Sequence, residues 1–136
     1  LPAVDSVVAG NPMDIRLDCR ALGMSGQASI QFTDMTNQSN VGYRLTPTAD
    51  STAKGVNVML DVDLFGQDGF FLSESFRVLY APPSSMYGAQ NSHTLPLQPF
   101  NYGAFIIIRV RPSYIRSGNI VAGSANAMVM MTVAYK

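Results

Sequence analysis

Ala127-Met128-Val129-Met130-Met131-Thr132-Val133-Ala134-Tyr135 runs almost to the end of the chain and repeats with a period of two. An extended backbone sends successive side chains to opposite faces, so Ala127, Val129, Met131, Val133 and Tyr135 share one side. The same period recurs upstream. Met13, Ile15 and Leu17 alternate with Asp14, Arg16 and Asp18, and Ala28, Ile30 and Phe32 alternate with Ser29, Gln31 and Thr33. Val56, Val58 and Leu60 follow Gly55, and Phe76, Val78 and Tyr80 form a further run. Phe105, Ile107 and Arg109 oppose Ile106, Ile108 and Val110, so apolar residues occupy both faces of that strand and predict a central position.

Turn-forming clusters separate these runs: Gly10-Asn11-Pro12, Gly23 to Gly26, Asn37 to Asn40, Thr46-Pro47, Gly66 to Gly69, Pro82-Pro83 and Ser117-Gly118-Asn119. The stretch from Ser84 to Pro99, rich in Ser, Pro and Gln, reads as a long loop. No helical stripe exceeds a turn or two. Short strands between turns predict an all-β sandwich or barrel. At 136 residues the chain has the length of a single domain.

Nine basic and nine acidic residues give no net charge, and charged residues make up only 13% of the chain, about half the usual share. Such a surface releases few counterions and offers no polybasic patch, which argues against nucleic acid and anionic membranes as partners. The apolar share of 47% is too high for a disordered chain. No apolar run approaches the length of a membrane-spanning helix, and Leu1-Pro-Ala-Val4 has no signal-peptide pattern.

Catalytic and metal chemistry find few residues. The single His93 lies between Ser92 and Thr94, with no G-x-S-x-G elbow to present a nucleophile. One Cys and one His cannot supply the usual three or four zinc ligands. Asp61 and Asp63 share a strand face, a spacing open to acid–base work but equally that of a solvated face beside a turn. Asn37-Gln38-Ser39 fits the glycosylation sequon, relevant only to a eukaryotic secretory protein. The chain is expected not to be an enzyme, and no cofactor is expected. Tyr87, Tyr102 and Tyr114 fall nearer loops than the other aromatics and are the candidates for a sugar platform. The lone Cys19 reads either as a small buried hydrophobe or as one half of a bridge whose partner lies outside this stretch.

The segment from Ser113 to Lys136 resembles the end of the pilin domains of bacterial chaperone–usher pili. The matching features are Tyr114-Ile-Arg-Ser-Gly118 as a turn, Val121-x-Gly123, a small-residue stretch, an alternating strand and the penultimate Tyr135. Ile15-Arg-Leu-Asp-Cys19 resembles the second strand of such domains, and Ala53-Lys-Gly-Val-Asn-Val-Met-Leu60 their central strand. The Tyr-x-Arg-Ser-Gly stretch looks closest to the pilin domain of two-domain tip adhesins, a reading the lack of an N-terminal donor segment also favours, while minor and major fimbrial subunits share most of the pattern and remain the other member of the resemblance.

The resemblance implies an incomplete immunoglobulin-like β-sandwich over residues 1–136, lacking its last strand and completed by a donor strand. It implies assembly by donor-strand complementation and exchange, a role in bacterial adhesion, and secretion through the periplasm to an extracellular fimbrium. The implied partners are a periplasmic chaperone, the usher, a neighbouring subunit, and a host receptor reached through a domain outside this chain. Ala127, Val129, Met131, Val133 and Tyr135 would border the donor groove, with Phe105 and Ile107 as further candidates. The carboxylate of Lys136 would meet basic chaperone residues. Cys19 would pair with a cysteine on a first strand absent here, since family members carry that strand before a Leu-Pro-x-Val stretch. The region from Ser84 to Tyr102 is longer than the family pattern and implies a loop insertion. The alternatives are a stand-alone lectin-like sandwich and a small viral jelly-roll coat domain.

Overall fold

A computed structural model describes residues 6–18, 27–66, 71–95, 105–121, 123–124 and 126–135. No helix occurs among them. Nine strands follow in chain order: β1 (Val7–Ala9), β2 (Met13–Asp18), β3 (Ala28–Asp34), β4 (Arg44–Leu45), β5 (Lys54–Phe65), β6 (Phe71–Arg77), β7 (His93–Thr94), β8 (Phe105–Val121) and β9 (Val129–Tyr135).

They form two antiparallel sheets. In the larger, the long strands β8 and β5 pair at the centre. Beyond β8 lie β2 and β1, and beyond β5 lie β6 and β4. The smaller sheet has the order β7-β3-β9. Ile30 and Phe32 of β3, Leu60, Val62 and Leu64 of β5, and Ile106, Ile108 and Val110 of β8 meet between the sheets. Full burial of one such side chain contributes about 1.5–3 kcal/mol. The fold is therefore an all-β sandwich, built on the period-two runs of the sequence.

Three features depart from the sequence reading. First, β3 is buried on both faces rather than one. Its polar face lies under the segment following Pro82: Ser84 N donates to Gln31 Oε1 at 3.0 Å, Gln31 Nε2 donates to Gln90 O at 3.0 Å, and Gly88 N donates to Ser29 Oγ at 3.2 Å. Part of the expected loop is thus a lid on the sheet, and it ends in β7. Second, the run at Phe76 leaves its strand at Arg77 and crosses between sheets. Val78 N donates to Leu60 O in one sheet at 2.9 Å, and Ala81 N donates to Phe32 O in the other at 3.0 Å. Tyr80, between them, is wholly buried.

Third, the Tyr114–Gly118 stretch does not end its strand. β8 continues to Val121, with Val56 opposite Arg116 and Lys54 opposite Val121. Residues 117–120, four against the single Gly55, are taken up as a bulge, which keeps the strand going past residues that usually stop one. Arg116 Nε closes it by donating to Gly118 O at 2.9 Å.

Candidate functional site

The two flanks of the sandwich differ. On one, β6 meets β7: the Phe76 and His93 rings stack at 3.9 Å and 14°, and His93 Nε2 lies 3.2 Å from Glu74 Oε2. The crossover through Tyr80 seals the same side. Since β6 and β7 share that flank, the opposite ends of the sheets, β2 and β9, share the other.

Along β9, the register with β3 is continuous from Val129 opposite Asp34 to Tyr135 opposite Ala28. Among the described residues β3 is the one strand that pairs with β9. Met131 and Val133 stand opposite Phe32 and Ile30, and with Ala127 they lean on the core while staying half-buried. On β2, Ile15 and Leu17 do the same from the other sheet. An edge strand whose inward residues are apolar and incompletely covered is a template for a further strand. Approaching β9, the chain is held by neighbours rather than by a helix or turn of its own. Thr48 N donates to Asn126 O at 2.8 Å, Thr52 N and Ala53 N donate to Ser124 O at 2.9 and 2.8 Å, and Asn126 N donates to Ser51 Oγ at 2.8 Å.

Of the residues singled out in the sequence, Ala127, Met131 and Val133 come together on this flank. Val129, at the first position of β9, is 39% exposed. The backbone of Tyr135 pairs with Ala28. Phe105 and Ile107 point away from the core: Ile106 and Ile108 are the core members of β8, and Phe105 lies on the opposite face, 3.8 Å beneath the Arg16 guanidinium. Period two fixed which residues share a face, but not which face meets the second sheet. Cys19, Lys136, Tyr102 and Leu1 to Val4 lie outside the described residues.

Asp61 and Asp63 are members of an ion-pair lattice on the outer face of the larger sheet. Arg77 Nε donates to Asp61 at 3.1 Å, Arg111 Nε to Asp63 at 2.6 Å, and Arg109 Nε to Asp14 at 2.8 Å. Burial pushes the Asp63 carboxyl upward, but the hydrogen bonds of Ser75 and Arg111 outweigh it and hold it below the ordinary carboxylate range. A carboxylate held ionised in this way is a poor proton donor, and its partners give it a structural role. Tyr87 donates through its hydroxyl to Gln27 Oε1 at 3.1 Å, and Tyr114 lies exposed near β1. Among the described residues no three His, Cys, Asp or Glu side chains gather as a metal site.

Sequence reasoning passed over Asp34. This wholly buried carboxylate accepts from Thr36 N at 3.1 Å, from Asn40 Nδ2 at 2.9 Å and from Thr46 N at 2.9 Å. It organises the turn that follows β3 and so sets the end of the β3–β9 ladder. The signal that could have exposed it was an Asp on the apolar phase of β3, two positions after Phe32.

No family model matches this chain, and no curated protein matches it. Among solved structures, the crystal structure of the Burkholderia pseudomallei antigen and type I fimbria protein is similar over 96% of this chain and 71% of its own length, at 20% identity and a TM-score of 0.47.

Proposed function

We propose that this chain is a structural, non-enzymatic pilin domain of a chaperone–usher fimbria, made whole by a strand from a neighbour. The observation that carries the reading is the outer edge of β9, which pairs with no described strand while Ala127, Met131 and Val133 stay half-covered beside it. The motifs from Ser113 to Lys136 support it independently. A donor strand laid along β9 would hydrogen-bond to its backbone and place alternate side chains against Met131, Val133, Ile15 and Leu17. Methionine suits such a wall, because its flexible thioether repacks for different occupants. In this reading the periplasmic chaperone supplies the strand first and the next subunit replaces it, with the usher as the site of exchange. The assembled product is an extracellular fimbrium serving adhesion. The disulfide of Cys19 with a preceding strand, and the contact of the Lys136 carboxylate with the chaperone, belong to the same proposal.

A synthetic peptide of alternating apolar and polar residues tests it. Binding only to the folded chain stabilises by about 2.7 kcal/mol at one hundred times the dissociation constant. The melting temperature should then rise by roughly ten degrees. Alternate amides of β9, those facing away from β3, should exchange rapidly in the free chain and slowly with peptide. An unchanged melting point, together with uniform protection of every β9 amide in the free chain, would overturn the reading.

A further inference from the structure

The face of the smaller sheet turned away from the core carries a group of methionines that the donor groove does not use. Thr33 pairs with Met130, and the ladder continues one step further, where Met35 N donates to Met128 O at 3.0 Å. Phe32 and its partner Met131 face the core, so the phase of two puts Met35, Met128 and Met130 together on the outer face. Directly opposed residues in an antiparallel pair have Cβ atoms about 4.5–5.5 Å apart, and diagonal neighbours about 7–8 Å. Residues two apart on one strand are separated by about 7 Å. All three side chains are therefore within a methionine's length of a common point. They are also open to solvent, at 37% for Met35, 60% for Met128 and 37% for Met130. An isolated exposed methionine is unremarkable; three at adjoining ladder positions place three flexible thioether side chains within reach of one point.

We propose that Met35, Met128 and Met130 form a thioether site for a soft monovalent cation, Cu(I) or Ag(I). Thioether sulfur is a soft, uncharged donor that selects Cu(I) over the harder divalent ions. With three neutral ligands the site suits a single positive charge. Hard oxygen-seeking ions such as Ca²⁺ and Mg²⁺ find no donor of their kind in this set. The step is binding alone: no electron is transferred and no proton is released. It does not rest on the donor-strand reading, since it uses the outer face of β9 and not its edge.

The test follows the methionine ε-methyl groups by NMR in chloride-free buffer while silver nitrate is added to the full chain. Cys19 is first replaced as Cys19→Ser or, where that variant fails to fold, capped with N-ethylmaleimide, so that its thiol does not take the metal. The signals of Met35, Met128 and Met130 should move together and saturate at one Ag(I) per chain. Those of Met13 and Met86, exposed at 59% and 73% but outside the group, should stay in place. Met128→Leu and Met130→Leu should each weaken binding at least tenfold with the melting temperature unchanged. Cu(I), held reduced by ascorbate in a separate silver-free sample, should move the same three signals, and Zn²⁺ should not. Parallel movement of every exposed methionine, absence of any shift, or full binding in the double leucine variant would overturn the site.

Discussion

Asp34 shows how one buried charge can organise a strand end. Its side chain is wholly buried, and removal from water alone would push its pKa upward. The hydrogen bonds from Asn40, Thr46 and Thr36 more than offset this, so the carboxyl titrates below its ordinary value. A group whose folded pKa is depressed stabilises the fold at pH values above its unfolded pKa, about 3.9. That stabilisation is lost as pH falls through the lower, folded value. Asp34→Asn keeps the shape but turns an amide NH₂ toward donors that need an acceptor. It should cost roughly 3 kcal/mol at pH 7, the scale of losing charged hydrogen bonds in a buried place. In urea unfolding followed against pH, the gap between the two proteins should be constant from pH 7 to about 5 and should close below pH 4. A gap that persisted undiminished at pH 2 would mean that shape, and not charge, holds the turn.

At the scale of elements, the bulge in β8 explains why one glycine in the central strand has no substitute. Gly55 sits at φ +75°, where other residues are strained. An added Cβ would press into the Asn119 carbonyl, 2.6 Å from its carbon, and lie 3.0 Å from the Gly118 carbonyl carbon. Gly118 itself is open, with nothing within 4 Å of an added Cβ. Left-handed backbone at a non-glycine residue costs about 1–3 kcal/mol before any displacement of the bulge is counted. Thermal or urea unfolding should thus find Gly55→Ala destabilised by on the order of 3 kcal/mol, and Gly118→Ala within about 0.5 kcal/mol of the parent. The bulge also marks the boundary of what the sequence made legible. The bounds of β2 and β3 follow from alternation, because there each residue's neighbours lie on the same short strand. Ser117-Gly118-Asn119 is locally a turn, and only the partner strand, through Gly55, turns it into an excursion from a continuing ladder. The burial of Ser29 and Gln31 was hidden for a similar reason: the groups that satisfy them, Ser84, Gly88 and Gln90, lie more than fifty residues away. Alternation puts Phe105 and Ile107 on one face, yet the choice between core and exterior belongs to the packing of whole sheets.

At the scale of the molecule, the distribution of charge bears on how the chain behaves alone. Few charged residues exist, and several of them, Asp14, Asp61, Asp63, Arg77, Arg109 and Arg111, are committed to the outer face of the larger sheet. From Ser117 to Tyr135 the sequence has no charged residue at all. Edge strands in stable monomers are commonly guarded by lysines, prolines or inward-pointing charges, and β9 has none of these. A net charge of zero adds no general repulsion between copies. The isolated chain should therefore self-associate, and sedimentation velocity over a hundredfold range of concentration should show larger species growing with concentration. Val129→Lys places a charge at the exposed start of β9 with little disturbance of the core, and it should shift the distribution toward monomer. Met86→Lys adds the same charge on the segment over β3, away from the edge, and should leave association as it was. The alternating peptide should act like Val129→Lys, because it occupies the edge that copies would otherwise share. If Met86→Lys dissolved the larger species as effectively as Val129→Lys, net charge would be the controlling variable and the edge of β9 would not be where copies meet.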